Sequence, residues 1–337
     1  MNTENVQLDR ISKLRQSKAL ETVTKYFLLI AIVLTILFFG VFGSNFLSVD
    51  NIMTILLASC VVGLMAMGSM MVMMSGDVNF AVGAQMTLAG AIAGKMLASP
   101  SFHNYWLAVA VALACVTLSG VVIAFFVVKL RVPSFIATLG FQTLVDSVFR
   151  YLCDNNNLFS NYWDEKFTFL GLTKVFGVVP LPVVITLVIG ALMWVLSGRT
   201  KIGRIFFSIG RNRIASTQVG IPVDRYRFLA FTLCALLAGI AGILQASISD
   251  NVNLATGNGF LLPAISSCIL GATFLHPGKY NIPGTLIAAM VNVVVRIGVV
   301  SMGGSTFATD IVQGSFLLIA VAIIALVREE GLPAVSI

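Results

Sequence analysis

The stretch RFLAFTLCALLAGIAGILQASI (227–248) decides how the rest of the chain is read, because no charged residue follows Arg227 within it. A helix rises 1.5 Å per residue, so about 20 apolar residues cross the roughly 30 Å hydrocarbon core of a bilayer. Working outward, runs of this kind recur at 26–43, 52–74, 80–98, 105–128, 133–152, 181–197, 259–275, 282–301 and 306–327, which makes ten. Of the 337 residues, 58% are hydrophobic and 10% charged, whereas soluble domains carry about 45–50% apolar and about 25% charged residues. A water-soluble enzyme is therefore excluded, as are disordered, collagenous and disulfide-framework chains. The expected fold is an all-α polytopic membrane protein of about ten transmembrane helices.

The third and eighth runs are the weakest. SGDVNFAVGAQ (75–85) and HPGKYNIPG (276–284) carry the Gly, Pro, Asp and Asn that interrupt helices, so broken or re-entrant segments are expected there. Ten crossings place both termini on one side, and the positive-inside rule selects the cytoplasm. Sixteen of the 21 basic residues then fall inside, leaving Lys95, Arg150, Lys166, Lys174 and Arg296. The net charge of +7 follows this topology and implies no nucleic-acid partner. The expected organisation is a cytoplasmic tail (1–25), one transmembrane domain (26–327) and a second cytoplasmic tail (328–337). Within the domain, 153–180 is an external loop and 198–226 a cytoplasmic one. The first run should stay as a helix, since it ends GVFGSNFLS without an A-x-A cleavage site.

Residues for chemistry are scarce. His103 and His276 fall on opposite faces of the ten-span arrangement and cannot share a triad or a metal. Cys60, Cys115, Cys153, Cys234 and Cys268 are far apart and read as small buried hydrophobes. GATFLHPGKY (271–280) has a Gly-Lys, but six residues separate Gly271 from Gly278 where a phosphate-binding loop needs four, and Tyr280 replaces the magnesium-binding Ser or Thr. The expectation is a chain with no catalytic residues, metal or cofactor, so that ATP and magnesium, if used, sit on a partner. Six methionines within 65–74 read as adaptable packing. Small residues at 90–94 and 235–244 allow tight helix packing or self-association.

Ionisable residues at membrane depth cost about 2.5–3.5 kcal/mol on insertion scales and usually face a cavity or a partner. Asp77, Asp146, Arg150, Arg296 and Asp310 qualify. Asp146 and Arg150, four apart, can neutralise each other, and Arg296 and Asp310 can meet from consecutive helices. Asp77 lies in the broken segment, among Gly76, Asn79, Gly83 and Gln85, where irregular backbone survives only beside protein or a water-filled cavity. The most informative segment is SGRTKIGRIFFSIGRNRIASTQVGIPVDRYRF (197–228), in which RNRIASTQV is helix-compatible and is closed by Gly220 and Pro222. Such a helix on the inner face fits a cytoplasmic motor; an arginine-rich loop against anionic membrane lipid is the alternative.

Four segments resemble the permease subunits of bacterial ABC importers for ribose, galactose, related monosaccharides and the furanosyl autoinducer. They are SGDVNFAVGAQMTLAG (75–90), VPSFIATLGFQTLVDSVFRYL (132–152), IGRNRIASTQVGIPVDRYRFLAFTLCALLAGIAGIL (209–244) and LLPAISSCILGATFLHPGKYNIPGTLIAAMVNVVV (261–295). The resemblance implies a type II importer-like permease in a bacterial plasma membrane. It also implies a second permease copy, identical or related, a separate ABC ATPase, and a periplasmic or lipid-anchored substrate-binding protein. It places ATPase coupling in 210–223, where the candidate residues are Gly210, Arg211, Asn212, Arg213, Ala215, Gly220 and Ile221; relatives usually have acidic residues where this chain has Arg213 and Ile214. Relatives usually have Gly where this chain has Asp77 and Asp where it has Asn79, so the acid is displaced by two positions. Asp77, Asn79, Gln85, Thr138, Phe141 and Gln142 are the candidate substrate-pathway residues. The competing classes are an ion-coupled secondary transporter using Asp77 or Asp146, and a membrane scaffold that transports nothing.

Overall fold

The computed structural model describes residues 18–99, 104–159, 165–175, 177, 179–274, 278–305, 307–315 and 318. His103, His276, most of the N-terminal tail and the C-terminal tail lie outside them. The helices are α1 (Lys18–Phe42), α2 (Val49–Met74), α3 (Val82–Leu97), α4 (Tyr105–Ala124), α5 (Ser134–Leu152), α6 (Glu165–Leu172), α7 (Leu181–Gly198), α8 (Lys201–Arg211), α9 (Arg213–Gln218), α10 (Val223–Ser249), α11 (Leu254–Gly271) and α12 (Ile282–Ser301). Helical backbone resumes at 307–315. Each of the ten apolar runs thus carries helix among the described residues. Six helices are long and apolar enough to cross a membrane by themselves: α2, α4 with its π-helical extension to Lys129, α7, α10, α11 and α12. The chain is an all-α polytopic membrane protein.

The two longest helices, α2 and α10, form the centre of the bundle, with α3 and α4 against one flank of α10 and α11 and α12 against α2. Glycines set the closest approaches, because in lipid helix association relies on packing. A side chain at Gly242 of α10 would run into the Met86 carbonyl of α3, and Gly90 lies against the Gly242 carbonyl, so the two small-residue stretches meet each other. Gly83 and Gly257 make the same kind of backbone contact between α3 and α11. Met65, Met67, Met70, Met71 and Met74 are fully buried in the same core. Four of the five cysteines are buried, whereas Cys115 is exposed on α4. Leu34, Leu37 and Phe38 of α1 and Leu187 and Leu192 of α7 face outward, as lipid-facing surfaces require.

Two segments expected as polar connectors contain structure. In 153–180, α6 buries Phe167, and Ser247 Oγ at the end of α10 donates to the Phe167 carbonyl at 2.6 Å. The flanking strand Leu158–Phe159 pairs antiparallel with Asn251–Val252, in register Leu158 to Val252. Lys174–Val175 pairs likewise with Val179–Pro180. In the 198–226 segment α8 precedes the expected short helix. KIGRIFFSIGR places Ile202, Ile205, Phe206 and Ile209 on one stripe at i, i+3, i+4 and i+7, with basic residues around it.

Candidate functional site

The broken segment between α2 and α3 is where the site begins. Gly76, with φ +81°, lets the chain leave α2. The freed backbone groups are then satisfied locally, as a lipid environment demands. The Gly76 amide donates to the Met73 carbonyl at 3.0 Å and the Asp77 amide to the Val72 carbonyl at 3.2 Å. The Val78 amide donates to Ser134 Oγ at 3.3 Å, which ties the segment to the start of α5. The Ala81 amide donates to Asn79 Oδ1 at 3.0 Å.

Asp77 is 2% exposed and accepts a bidentate pair from Arg227 in the first turns of α10: Nε to Oδ2 at 2.7 Å and Nη2 to Oδ1 at 2.9 Å. Arg227 is itself only 7% exposed. Arg213 of α9 brings a second guanidinium to 3.4 Å from Oδ1, and the same group lies 3.5 Å from the Ser75 carbonyl. Fork-to-fork pairing fixes orientation as well as charge. One carboxylate therefore joins the broken segment, α9 and α10. Beside it is a cavity of about 400 Å³ lined by Arg131, Ser134 and Asp224 as well as these three residues.

Deeper in the bundle, Asn79 Nδ2 donates to Gln85 Oε1 at 3.1 Å and to Cys234 Sγ at 3.4 Å. Gln85 Nε2 donates to Ser119 Oγ at 3.0 Å, and that hydroxyl donates to the Val116 carbonyl at 2.6 Å. These side chains belong to α3, α4, α10 and the break, and all of the polar ones are buried. Thr138 is buried too, its hydroxyl donating to the Ser134 carbonyl at 2.8 Å. Phe141 is half-buried between the two core clusters. Gln142 is half-exposed and donates through Nε2 to Asn258 Oδ1 of α11 at 3.0 Å. The six candidate pathway residues thus fall into three places: Asp77 in an ion-paired cluster, Asn79 and Gln85 in a buried network, and Thr138, Phe141 and Gln142 along α5.

The seven candidate coupling residues lie together at the arginine-rich end. Gly210 is buried with its Cα against Gly76, so α8 ends on the broken segment. Asn212 breaks the chain between α8 and α9 and caps α9, its Oδ1 accepting from the Ala215 amide at 2.9 Å. Ser208 and Ser216 hydroxyls join the two helices at 3.0 Å. Gly220, with φ +81°, ends the turn before Ile221 and Pro222. Arg211 and Ala215 are exposed and, with Arg204, Phe207 and Val219, line a groove of about 450 Å³.

Arg227 is the functional residue that the sequence reading passed over, having counted it with the cytoplasmic arginines. Its only early signal was its position at the head of an apolar run. Arg150 acts electrostatically on Asp146, as expected of residues four apart, but without closing to an ion pair. Among the described residues no ion pair joins Asp146 to Arg150, which is exposed in the last turn of α5. Arg296 is directed over the Phe260 ring of α11 at 5.5 Å and not to Asp310, which is exposed.

An apolar helical bundle whose broken segment is charge-locked to the short helix α9 and to the head of α10 fits one class: a membrane transport protein of the permease type. A family described as branched-chain amino acid transport system / permease component matches residues 51–321, and the chain belongs to it. It is 31% identical to the ribose import permease protein of Escherichia coli (strain K12) over 297 residues, 88% of this chain and 92% of that protein. It is 29% identical to the L-arabinose transport system permease protein of the same organism over 301 residues, 88% and 89% of the two chains. The ribose import permease protein of Bacillus subtilis (strain 168) is 28% identical over 282 residues, covering 84% and 87%. No solved structure matches.

Proposed function

We propose that the chain is the transmembrane subunit of an ABC importer that carries a monosaccharide or sugar-like solute across a bacterial plasma membrane. ATP and magnesium are bound and ATP is hydrolysed on a separate subunit. A substrate-binding protein delivers the solute, and a second permease copy, identical or related, completes the pathway. Both termini and the α8–α9 pair face the cytoplasm.

The observation that carries this reading is α9. Ile214 on this short helix and Val219 at its C-cap are 74% and 75% exposed amid arginines, beyond the apolar helices. Exposed apolar groups rimmed by charge mark a protein contact. Behind them the segment is held rigidly: Gly210 abuts Gly76, and Arg213 reaches Asp77. A push on α9 from a nucleotide-driven partner is thereby delivered to the break between α2 and α3. Coupling of this kind is a differential stabilisation of two states. Gln142 and Phe141 on the half-exposed side of α5 serve as pathway contacts, and Asp77, Asn79, Gln85 and Thr138 set the shape of the helix ends that open and close. An ion-coupled carrier is disfavoured because both oxygens of Asp77 are already engaged by Arg227.

The test is uptake of labelled pentoses and hexoses by vesicles holding the chain with its ATPase and binding protein. Uptake of at least one sugar is expected with ATP at the ATPase face and none with a proton or sodium gradient alone. Gradient-driven uptake without ATP, or no flux of any sugar, contradicts the reading.

A further inference from the structure

A second polar cavity lies at the other end of the bundle and shares no lining residue with the Asp77 cavity or the α8–α9 groove. It encloses about 590 Å³ between α2, α10, α11, α12 and the helical residues after 306. On α11 it is lined from Ala255 to Pro263 and on α2 from Thr54 to Val62. Eight residues of helix in each case give a depth of about 12 Å. Leu172 and Ile248 line it at the end opposite α8 and α9. Successive helical residues are about 100° apart, so Thr256, Gly259, Phe260 and Pro263 share one side of α11 and Asn258 lies roughly opposite. The cavity and the Gln142–Asn258 contact therefore occupy the two flanks of α11.

The chemistry of the lining is specific. Arg296, Gln245, Gln313 and Thr256 all contribute, and among the described residues none of their side chains makes a hydrogen bond or an ion pair. A guanidinium at membrane depth without a carboxylate is costly unless a ligand or water serves it. Arg296 is held by the Phe260 ring, which orients its plane without using its donors. Asn292, at the floor, is already satisfied: its Nδ2 donates to Ser267 Oγ at 2.9 Å and to the Ala288 carbonyl at 3.1 Å. What remains is a five-donor fork, two carboxamides that both donate and accept, and a hydroxyl, set in apolar walls. Ligand pockets fall at about 300–1,000 Å³ with few convergent polar groups, which this cavity satisfies. An anion would meet only one cation here. Vicinal hydroxyls, each donor and acceptor, match the set in full.

We propose that this cavity is a binding site within a single permease chain for a neutral polyhydroxylated solute of monosaccharide size. Arg296, Gln245, Gln313 and Thr256 hydrogen-bond its hydroxyls. The site rests on the reading of the chain as a sugar permease and adds to it a holding place that needs no second copy. A solute released at this end would be retained there before the bundle opens towards α8 and α9.

The experiment uses A255C, on the cavity wall beside the proposed hydrogen-bonding groups, in the complex of permease and ATPase in lipid nanodiscs, labelled with a hydrophilic maleimide and read at position 255 by peptide mass spectrometry. Cys60, Cys153, Cys234 and Cys268 are buried, and burial pushes the Cys153 thiol up to about 11, so at neutral pH they stay largely unlabelled. Uptake by vesicles of the same variant with the binding protein identifies the imported sugar from a pentose and hexose panel and shows that the complex is folded. That sugar, added without the binding protein, is expected to slow labelling at position 255, and ribose 5-phosphate is not. Adding Arg296→Met should raise the half-protecting concentration about tenfold, as loss of a charged hydrogen-bond donor implies. Normal uptake with labelling indifferent to the sugar overturns the site and leaves the transport reading standing. Protection by the sugar phosphate alone overturns it in favour of an anion site. Absence of uptake of every sugar in the panel, by this variant and by the unmodified chain, defeats the transport reading and the site with it.

Discussion

The two ends of the bundle treat buried charge in opposite ways. At the arginine-rich end the buried carboxylate of Asp77 is shared by Arg227 and Arg213. At the other end, among the described residues, Arg296 meets an aromatic ring and no carboxylate, and the side chains of Gln245, Gln313 and Thr256 make no hydrogen bond. A charge already paired holds helices in place, whereas unpaired polar groups in a cavity await something that comes and goes. On the proposed function, the difference separates a mechanical joint from a solute-facing surface within one chain that has few polar residues.

The largest effect should come from breaking the joint. Asp77→Ala leaves Arg227 buried without its carboxylate, and removal of one partner of a buried pair costs about 3–5 kcal/mol. The melting temperature of the detergent-purified protein should fall clearly, and Asp77→Ala combined with Arg227→Met should recover most of the loss. A double variant no better than the single one would show that the pair is not what holds α10 to the break. A smaller effect is expected on the flank of α5. Gln142→Leu removes one half-exposed hydrogen bond to Asn258, about 0.5–1.5 kcal/mol. It should leave melting nearly unchanged while altering the uptake rate; equal uptake would remove Gln142 from the pathway.

Much of this architecture could be read from the chain before any coordinates. Lipid as a solvent permits few solutions, so apolar runs announce helices, and each of the ten runs carries one among the described residues. The break at 75–81 was visible because Ser, Gly, Asp and Asn interrupt an otherwise apolar stretch, and the Asn212 cap and Gly220 stop are local signals of the same kind. What could not be read was distance in the chain. Arg227 is 150 positions from Asp77 and belongs to a helix whose apolar pattern says nothing about which carboxylate it meets. Local proximity instead favoured Asp146 with Arg150 and Arg296 with Asp310, and among the described residues neither closes to an ion pair. Helix α8 was missed for another reason: its apolar stripe is interrupted by Arg204 and Lys201, so a search for continuous apolar runs passes over it, while the i, i+3, i+4, i+7 spacing of Ile202, Ile205, Phe206 and Ile209 would have found it. The cavity around Arg296 draws on six segments, and only packing brings them together.

The most direct test of the central claim, that α8 and α9 receive force from a separate ATPase and pass it through Asp77, is photo-crosslinking from position 219. With a photoreactive group at Val219 in the assembled complex, crosslinks to the ATPase subunit are expected, with a yield that changes when ATP is bound. Crosslinks only to lipid, or labelling of the same position by a membrane-impermeant reagent added to the opposite side of intact cells, would contradict the account.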